Sequence, residues 1–411
     1  MNIPQGYKNS PLGVIPQEWD VKKLGEISKI TSGGTPLREK KEYWNGNIPW
    51  VTTTLLNNPV IEKVEEYITE DGLQNSATKL LPKGTLLMAM YGQGQTRGKV
   101  SKLMIEAATN QACASLSINN KNFTNYIFYQ LDKNYEVIRN LSNDGNQKNL
   151  SLELIKGIQI VLPPLPEQQK IAEILTVWDK AIDIQTQYIA SLENRKRGLM
   201  QQLLTGKKRL KGFSEKWKDV KLEEVGYFLS GCGFTEVEQG GVDGVPFYKV
   251  SDMNLLGNES CMRSANNYVN EKQIKRCGYK VIEQTSILFA KVGAAIFLER
   301  KRLATHFLMD NNMMAFMPKY GNILFIKYVF DKIRLSKYIQ IGALPSYNAS
   351  DLSSIKISLP SIEEQTAIAN ILSTADQEIA FTKKKLASLK EQKKGLMQQL
   401  LTGKRRMFSN I

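Results

Sequence analysis

Gly198-Leu199-Met200-Gln201-Gln202-Leu203-Leu204-Thr205-Gly206-Lys207 occurs twice in this chain, letter for letter, the second time as Gly395–Lys404. Working outward from that block, Ile160–Arg209 aligns with Ile357–Arg406 without a gap, and about half of the positions are identical. A weaker echo fills the stretches between. Trp19 to Leu24 and Glu26 match Trp217 to Leu222 and Glu224, Ser32-Gly33 matches Ser230-Gly231, and Pro49 matches Pro246. Leu86-Leu87-Met88-Ala89 matches Ile287-Leu288-Phe289-Ala290, followed by Gly92 against Gly293 and Asn110 against Asn311. The organisation is therefore variable–common–variable–common.

The common segments carry the pattern of long helices. Each opens with a proline stop and an acidic first turn, Pro163-Pro164-Leu165-Pro166-Glu167 and Pro360-Ser361-Ile362-Glu363-Glu364. Proline suits the first helical turn, where its missing N–H costs nothing, and Ser361 with Glu364 has capping-box spacing. Apolar residues then alternate at 4-3 spacing: Ile171, Leu175, Trp178, Ile182, Ile189, Leu192, Leu199 and Leu203, and again Ile368, Leu372, Ala375, Ile379, Leu386, Leu389, Leu396 and Leu400. A repeat of period 3.5 is a coiled-coil seam. It is interrupted at matching places by Gln185 and Thr382, and by Lys196 and Lys393. Both helices end at Thr-Gly followed by basic residues, since glycine takes the left-handed closing position and cations suit the negative helix end. At ~1.5 Å per residue each helix spans on the order of 60 Å. The repeat of the same seam makes each helix the natural partner of the other, as an antiparallel intramolecular coiled coil with the variable domains at opposite ends.

The expected fold class is α+β: two globular mixed α/β domains separated by two long helices. The boundaries read from the repeat are residues 1–159, a first domain; 160–211, the first helix; 212–356, a second domain; and 357–411, the second helix. Inside the domains, Thr85–Met90, Ala114–Ile118 and Ser286–Ala290 read as strands bounded by turn residues, and Phe123–Leu131 and Ile323–Phe330 as short helices.

Composition narrows the function. The 411 residues are 42% apolar and 23% charged, and a net charge of +15 points to a polyanionic partner, with nucleic acid ahead of an acidic membrane surface. The surplus is spread along the chain. Its sharpest clusters, Arg195-Lys196-Arg197, Lys207-Lys208-Arg209 and Lys404-Arg405-Arg406, read as solvated helix ends, with phosphate contact or partner docking as the competing role. No apolar run is long enough to span a bilayer, and Met1–Gly6 does not open a signal peptide, so the chain is expected in the cytoplasm. Cys113, Cys232, Cys261 and Cys277 are scattered and are expected as small apolar fillers, with neither a zinc site nor disulfides. A single histidine, His306, in the apolar run Ala304–Leu308, excludes a multi-histidine metal centre and is expected packed or at a rim.

Catalytic signatures are missing. There is no phosphate-binding P-loop, no Asn-Pro-Pro-aromatic motif for amino-group methylation and no convincing metal-nuclease cluster; Gly92-Gln93-Gly94-Gln95-Thr96-Arg97-Gly98 does not fit dinucleotide spacing and reads as a hairpin tip or binding loop. The chain reads as a non-catalytic binding subunit without a metal or cofactor of its own. Candidate contacts to double-stranded DNA are Ser32, Gly33, Gly34 and Thr35; Tyr91, Gln93, Gln95, Thr96, Arg97 and Lys99; Asn110 and Gln111; Lys249, Ser251, Asp252 and Asn254; Lys291; Asn311 and Asn312; and Tyr347 and Asn348. Amides can pair bidentately with adenine and cations with guanine.

Together these features resemble the specificity subunit of type I restriction–modification systems. The resemblance spans the whole chain. It rests on Trp19 to Glu26 leading into Ser32-Gly33-Gly34-Thr35-Pro36, on Leu162–Gln168 with Ile171-Ala172, and on the Gly198–Gly206 block, the last two recurring in the second half. The second copy departs from the pattern at Ser230-Gly231-Cys232-Gly233-Phe234-Thr235 and at Ser361. The resemblance implies two target-recognition domains, each reading one half of a bipartite DNA sequence. It further implies a helical spacer that docks two modification subunits bearing S-adenosylmethionine, and a motor–nuclease restriction subunit using ATP and Mg. Three rival readings are a recognition subunit of another restriction–modification assembly, a coiled-coil connector whose globular ends bind proteins and, last, a cryptic enzyme.

Overall fold

The structure, a computed structural model, describes residues 3–92, 95–119, 121–141, 149–340 and 345–407. The two long helices form where the seam places them, Leu165–Leu203 and Ile362–Leu400, each 39 residues. Their ends follow the expected chemistry: Gly206 and Gly403 sit at φ 67° and 72°, in the left-handed region that closes a helix. The capping box forms only in half. The Glu364 N–H reaches Ser361 Oγ at 3.4 Å, but its carboxylate is drawn away to an arginine instead of turning back to the cap.

Contacts divide the chain into two compact units, residues 1–186 with 384–411, and residues 187–383, so each unit takes one half of each long helix. In the first unit, a five-stranded sheet runs in the order Ser28–Ser32, Cys113–Ile118, Leu86–Ala89, Val100–Leu103, Val60–Ile61. All but the last pairing are antiparallel. Leu86–Ala89 is buried on both faces, which explains its unbroken apolar run. A three-stranded sheet of Ala108–Thr109, Trp44–Val51 and Glu66–Ile68 lies beside it in sequence order. A short ribbon pairs Asp20–Lys23 with Gln159–Leu162, closing the domain where the first helix begins. The core joins Trp19, Leu24, Met88, Tyr126 and Leu131 to Ile171 and Leu175 of the first helix and Met397 and Leu400 of the second.

The second unit repeats this plan. Gly226–Ser230, Met313–Pro318, Ser286–Ala290 and Lys301–Ala304 form one sheet; Tyr268–Val269, Val245–Tyr248 and Leu308–Met309 form another; Lys218–Lys221 pairs with Lys356–Leu359. Its core joins Phe289, Phe316, Phe325 and Phe330 to Leu203, Ile368 and Leu372. The two expected domain helices are Lys121–Lys133 and Ile323–Lys332.

Every seam residue named from the sequence is buried or half-buried: Ile171, Leu175, Ile189, Leu192, Leu203, Ile368, Leu372, Ile379 and Leu400 fully, and Trp178, Ile182, Leu199, Leu386, Leu389 and Leu396 in part. Two readings need correction. Cys277 is no filler but lies exposed at the end of the helix Glu271–Cys277, while Cys113 is buried and Cys232 and Cys261 are half-buried; burial pushes the Cys113 thiol up to about 12. The run around His306 is not one strand. It breaks after Ala304, His306 takes φ 51°, and its exposed ring reaches Glu283 at 2.6 Å.

Candidate nucleic-acid interface

The candidate loops of the first domain converge because of strand register. Cys113 lies opposite Ala89, and Ala114 opposite Ser32, so the chain leaves the sheet at one edge through Gly33, Tyr91 and Gln111. Gly33 and Gly34 are required there by space. A Cβ on Gly33 would stand 2.2 Å from the Thr109 carbonyl oxygen, and one on Gly34 would stand 2.5 Å from the Thr78 amide nitrogen. Their N–H groups donate to the carbonyls of Cys113 and Thr109. Thr35 Oγ1 then donates to Gln111 Oε1, while Asn110 Oδ1 accepts the Ala112 N–H at 3.2 Å. On the neighbouring turn, Thr96 Oγ1 and Lys99 Nζ both donate to Asn57 Oδ1, at 3.3 and 3.2 Å. The Arg97 guanidinium donates to the Arg139 carbonyl at 3.0 Å, and Tyr135 Oη donates to the Gln95 carbonyl. Tyr91 is exposed; Gln93 lies outside the described residues.

In the second domain Ser230 lies opposite Met314 and Ala290 opposite Met313, so the same edge carries Ser230-Gly231, Lys291 and Asn311-Asn312. Gly231 is more confined than Gly33, since a Cβ there would fall 1.8 Å from the Asp310 carbonyl oxygen. Lys291 Nζ donates to Ser230 Oγ at 3.1 Å. Asn312 donates from its backbone and its side chain to the Asp310 carboxylate; burial raises that carboxyl above its usual range, and these hydrogen bonds act against the rise. Asn311, Ser251 and Asn254 are exposed.

Not every candidate reaches this surface. Tyr347 is 3% exposed and belongs to the aromatic core, and Asp252 is wholly buried, where it accepts from the Lys249 and Asn266 N–H groups. Both were expected at the interface; the fold uses them as packing and turn anchors. Lys249 spends its ammonium on Gln239, and Asn348 caps the helix Ala349–Ser353. Conversely, residue type alone does not single out Asn57 and Asn254 as a pair. Asn57 holds Lys99, and Asn254 Oδ1 accepts from Arg300. Both sit at the same sequence offset as Pro49 and Pro246, which is the signal that could have found Asn57.

The helix segments carry a second constellation, and it corrects the reading of the basic clusters. In the first unit Glu167, 1% exposed, accepts from Trp19 Nε1 at 3.0 Å, from Arg406 Nε at 2.9 Å and from the Met407 N–H at 3.1 Å. In the second unit Glu364, equally buried, accepts from Trp217 Nε1 at 3.1 Å and from Arg209 Nε and a terminal nitrogen at 2.7 and 2.8 Å. Asp179 pairs with Lys393 and accepts from Tyr129 Oη at 2.6 Å; Asp376 pairs with Lys196 and accepts from Tyr328 Oη at 2.7 Å. Burial first, then donation to the carboxylate, raises both tyrosine hydroxyls above their ordinary value. Arg209, Arg406 and Lys196 are therefore structural cations, not solvated helix ends. They also show that the helix halves run antiparallel within each unit.

A glycine-pinned sheet edge bearing amides, hydroxyls and lysines is thus built twice, with different side chains in the two domains. The family described as "Type I restriction modification DNA specificity domain" matches residues 16–194 and again residues 214–391. The chain belongs to this family, and with two copies of its domain it is a DNA-recognition subunit of the type I restriction–modification kind. It is similar to the type I restriction enzyme MjaIX specificity subunit of Methanocaldococcus jannaschii, 24% identical over 98% of this chain and 96% of that one. The MjaVIII specificity subunit of the same organism is 26% identical over 96% of this chain and 94% of its own. The crystal structure of a type I restriction–modification S subunit from M. genitalium has the same fold, with a TM-score of 0.59 at 16% identity, covering 97% of this chain and 98% of that chain. No helix among the described residues is long and apolar enough to cross a membrane.

Proposed function

We propose that each domain reads one half of an asymmetric, bipartite sequence in double-stranded DNA, while the long helices set the gap and dock two modification subunits. The observation that carries this reading is the doubled sheet edge. Its scaffold is the same in both domains, from Gly33 to Gly231 and from Asn57 to Asn254, but its outward side chains differ, so the half-sites differ too. Apolar residues left in water on the helices support docking: Val177 and Ile184 in the first unit and Phe381 in the second, all more than 60% exposed. In this reading the chain catalyses nothing and works in the cytoplasm. S-adenosylmethionine belongs to the modification subunits, and ATP with Mg to a motor–nuclease restriction subunit.

Methylome sequencing of cells with and without this gene tests the proposal. The expected result is one motif of two dissimilar specified blocks around an unread gap, present only with the gene. A palindromic or uninterrupted motif, or no change in methylation, overturns it.

A further inference from the structure

The turn that follows Ser286–Ala290 differs in kind from its counterpart in the first domain. There the turn carries Thr96 and Arg97; here it carries Ala294-Ala295-Ile296-Phe297-Leu298, and Phe297 and Leu298 stand 61% and 60% exposed side by side. The turn beneath them is anchored at both ends. Ile296 is buried, the Gly293 N–H donates to the Pro345 carbonyl at 2.9 Å, and the Glu299 carboxylate accepts from Lys301 Nζ and from the Leu335 and Ser336 N–H groups at 2.8, 3.2 and 2.8 Å. Two apolar side chains on a fixed turn, at the edge that carries the candidate DNA contacts, are flanked by cations. Lys291 precedes them beside Ser230, and Arg300 follows on Asn254, in the place Lys99 holds on Asn57.

Cations that take phosphates on either side of a projecting apolar pair match the way proteins part a base step: the cations fix position, and the apolar tip unstacks the bases. Resting on the DNA-recognition reading above, we propose that Phe297 and Leu298 form a wedge that enters one base step of the half-site read by the second domain, with Lys291 and Arg300 on the flanking phosphates. The first domain, with Thr96 and Arg97 at that place, reads its half-site without such a wedge.

The test uses the full chain assembled with its modification subunits and duplexes of the motif found by methylome sequencing, with 2-aminopurine placed in turn at each adenine of the second domain's half-site or at a base next to it. The expected result is a rise in fluorescence at one step with the wild-type complex. Phe297→Ala with Leu298→Ala abolishes that rise and weakens specific binding by about tenfold, and Phe297→Trp keeps both. A wild-type complex that methylates its motif but unstacks no base, or a double variant that still does, overturns the wedge and leaves the recognition reading standing. A double variant that no longer assembles with the modification subunits makes the tip a protein contact and equally overturns it. A wild-type complex that binds no DNA sequence preferentially removes the recognition reading and the wedge with it.

Discussion

Replacing Glu167 with alanine removes one carboxylate from the first unit and strands three donors. Trp19 Nε1 sits on a wholly buried indole and has no route to water, and the Met407 N–H and Arg406 Nε lose their acceptor. Breaking a buried ion pair from one side costs about 3–5 kcal/mol. Arg406 retains Glu18 at 2.8 Å and is 23% exposed, which places the expected loss at the lower end, about 3 kcal/mol. Glu167→Gln keeps an acceptor but loses the charge, and about half of that loss is expected. Glu173→Ala, which breaks only an exposed pair with Lys170, is the control and should change stability by less than about 0.5 kcal/mol. The measurement is hydrogen exchange under a urea series, read at Leu86–Ala89 for the first unit and at Met313–Pro318 for the second. The destabilisation should fall on the first set. Glu364→Ala should reverse the pattern, because Trp217 and Arg209 lose the equivalent acceptor. A loss below about 1 kcal/mol in Glu167→Ala would show that the clamp adds nothing beyond the surrounding apolar burial.

Three further outcomes follow from the same geometry. Deleting one heptad from both long helices removes about 10 Å of rise from each, equivalent to about three base pairs of duplex, and selection on targets with randomised gaps should return a motif shortened by that amount; recovery of the original gap contradicts the spacer role. Gly231→Ala places a methyl group where the Asp310 carbonyl stands, so the sheet edge must move, and methylation of the second half-site should fall while the complex still assembles; unchanged site choice would separate that edge from recognition. Burial opposes ionisation of Glu299, but hydrogen bonds from Lys301 and Ser336 outweigh it and hold the carboxyl below its ordinary 4.5. Its stabilising contribution is therefore complete above about pH 4.5 and is lost as pH falls through the lower folded value. Protection of the Leu335 and Ser336 amides should decline in that acid window, and Glu299→Gln should remove the dependence.

Much of this architecture was legible in the sequence, because it rests on periodicities that the chain enforces locally. The 4-3 seam gave both helices, the glycines after each Thr gave their ends, and the apolar run Thr85–Met90 gave a strand. What was not legible depends on partners far along the chain. Lys196 and Lys393 look like breaks in an apolar seam, and only the domain helices, which bring Tyr328 and Tyr129 against Asp376 and Asp179, show them to be paired. Tyr347 and Asp252 fit a polar loop by residue type, yet their backbones lead them inward. Exposed Phe297 and Leu298 are not legible for the opposite reason: an apolar pair in sequence reads as core, and only the fold shows the turn beneath it anchored without them.

The repeat itself held information that residue type alone did not. Trp19, Glu167, Asp179, Lys196 and Arg209 each recur at the matching position as Trp217, Glu364, Asp376, Lys393 and Arg406. In the fold these identities pair crosswise: the first copy's Glu167 and Asp179 bind the second copy's Arg406 and Lys393, and the second copy's Glu364 and Asp376 bind the first copy's Arg209 and Lys196. Every clamp therefore needs one acid and one base from different copies, which ties each domain to both helices at once. A charge reversed in one copy leaves an unmatched partner in the other, and the buried member of that pair has no water to take its place. Identical charges at matching places in a repeat are thus better read as halves of two bonds than as two solvated faces. The loops proposed to read DNA, which lie between them, are where the two copies differ.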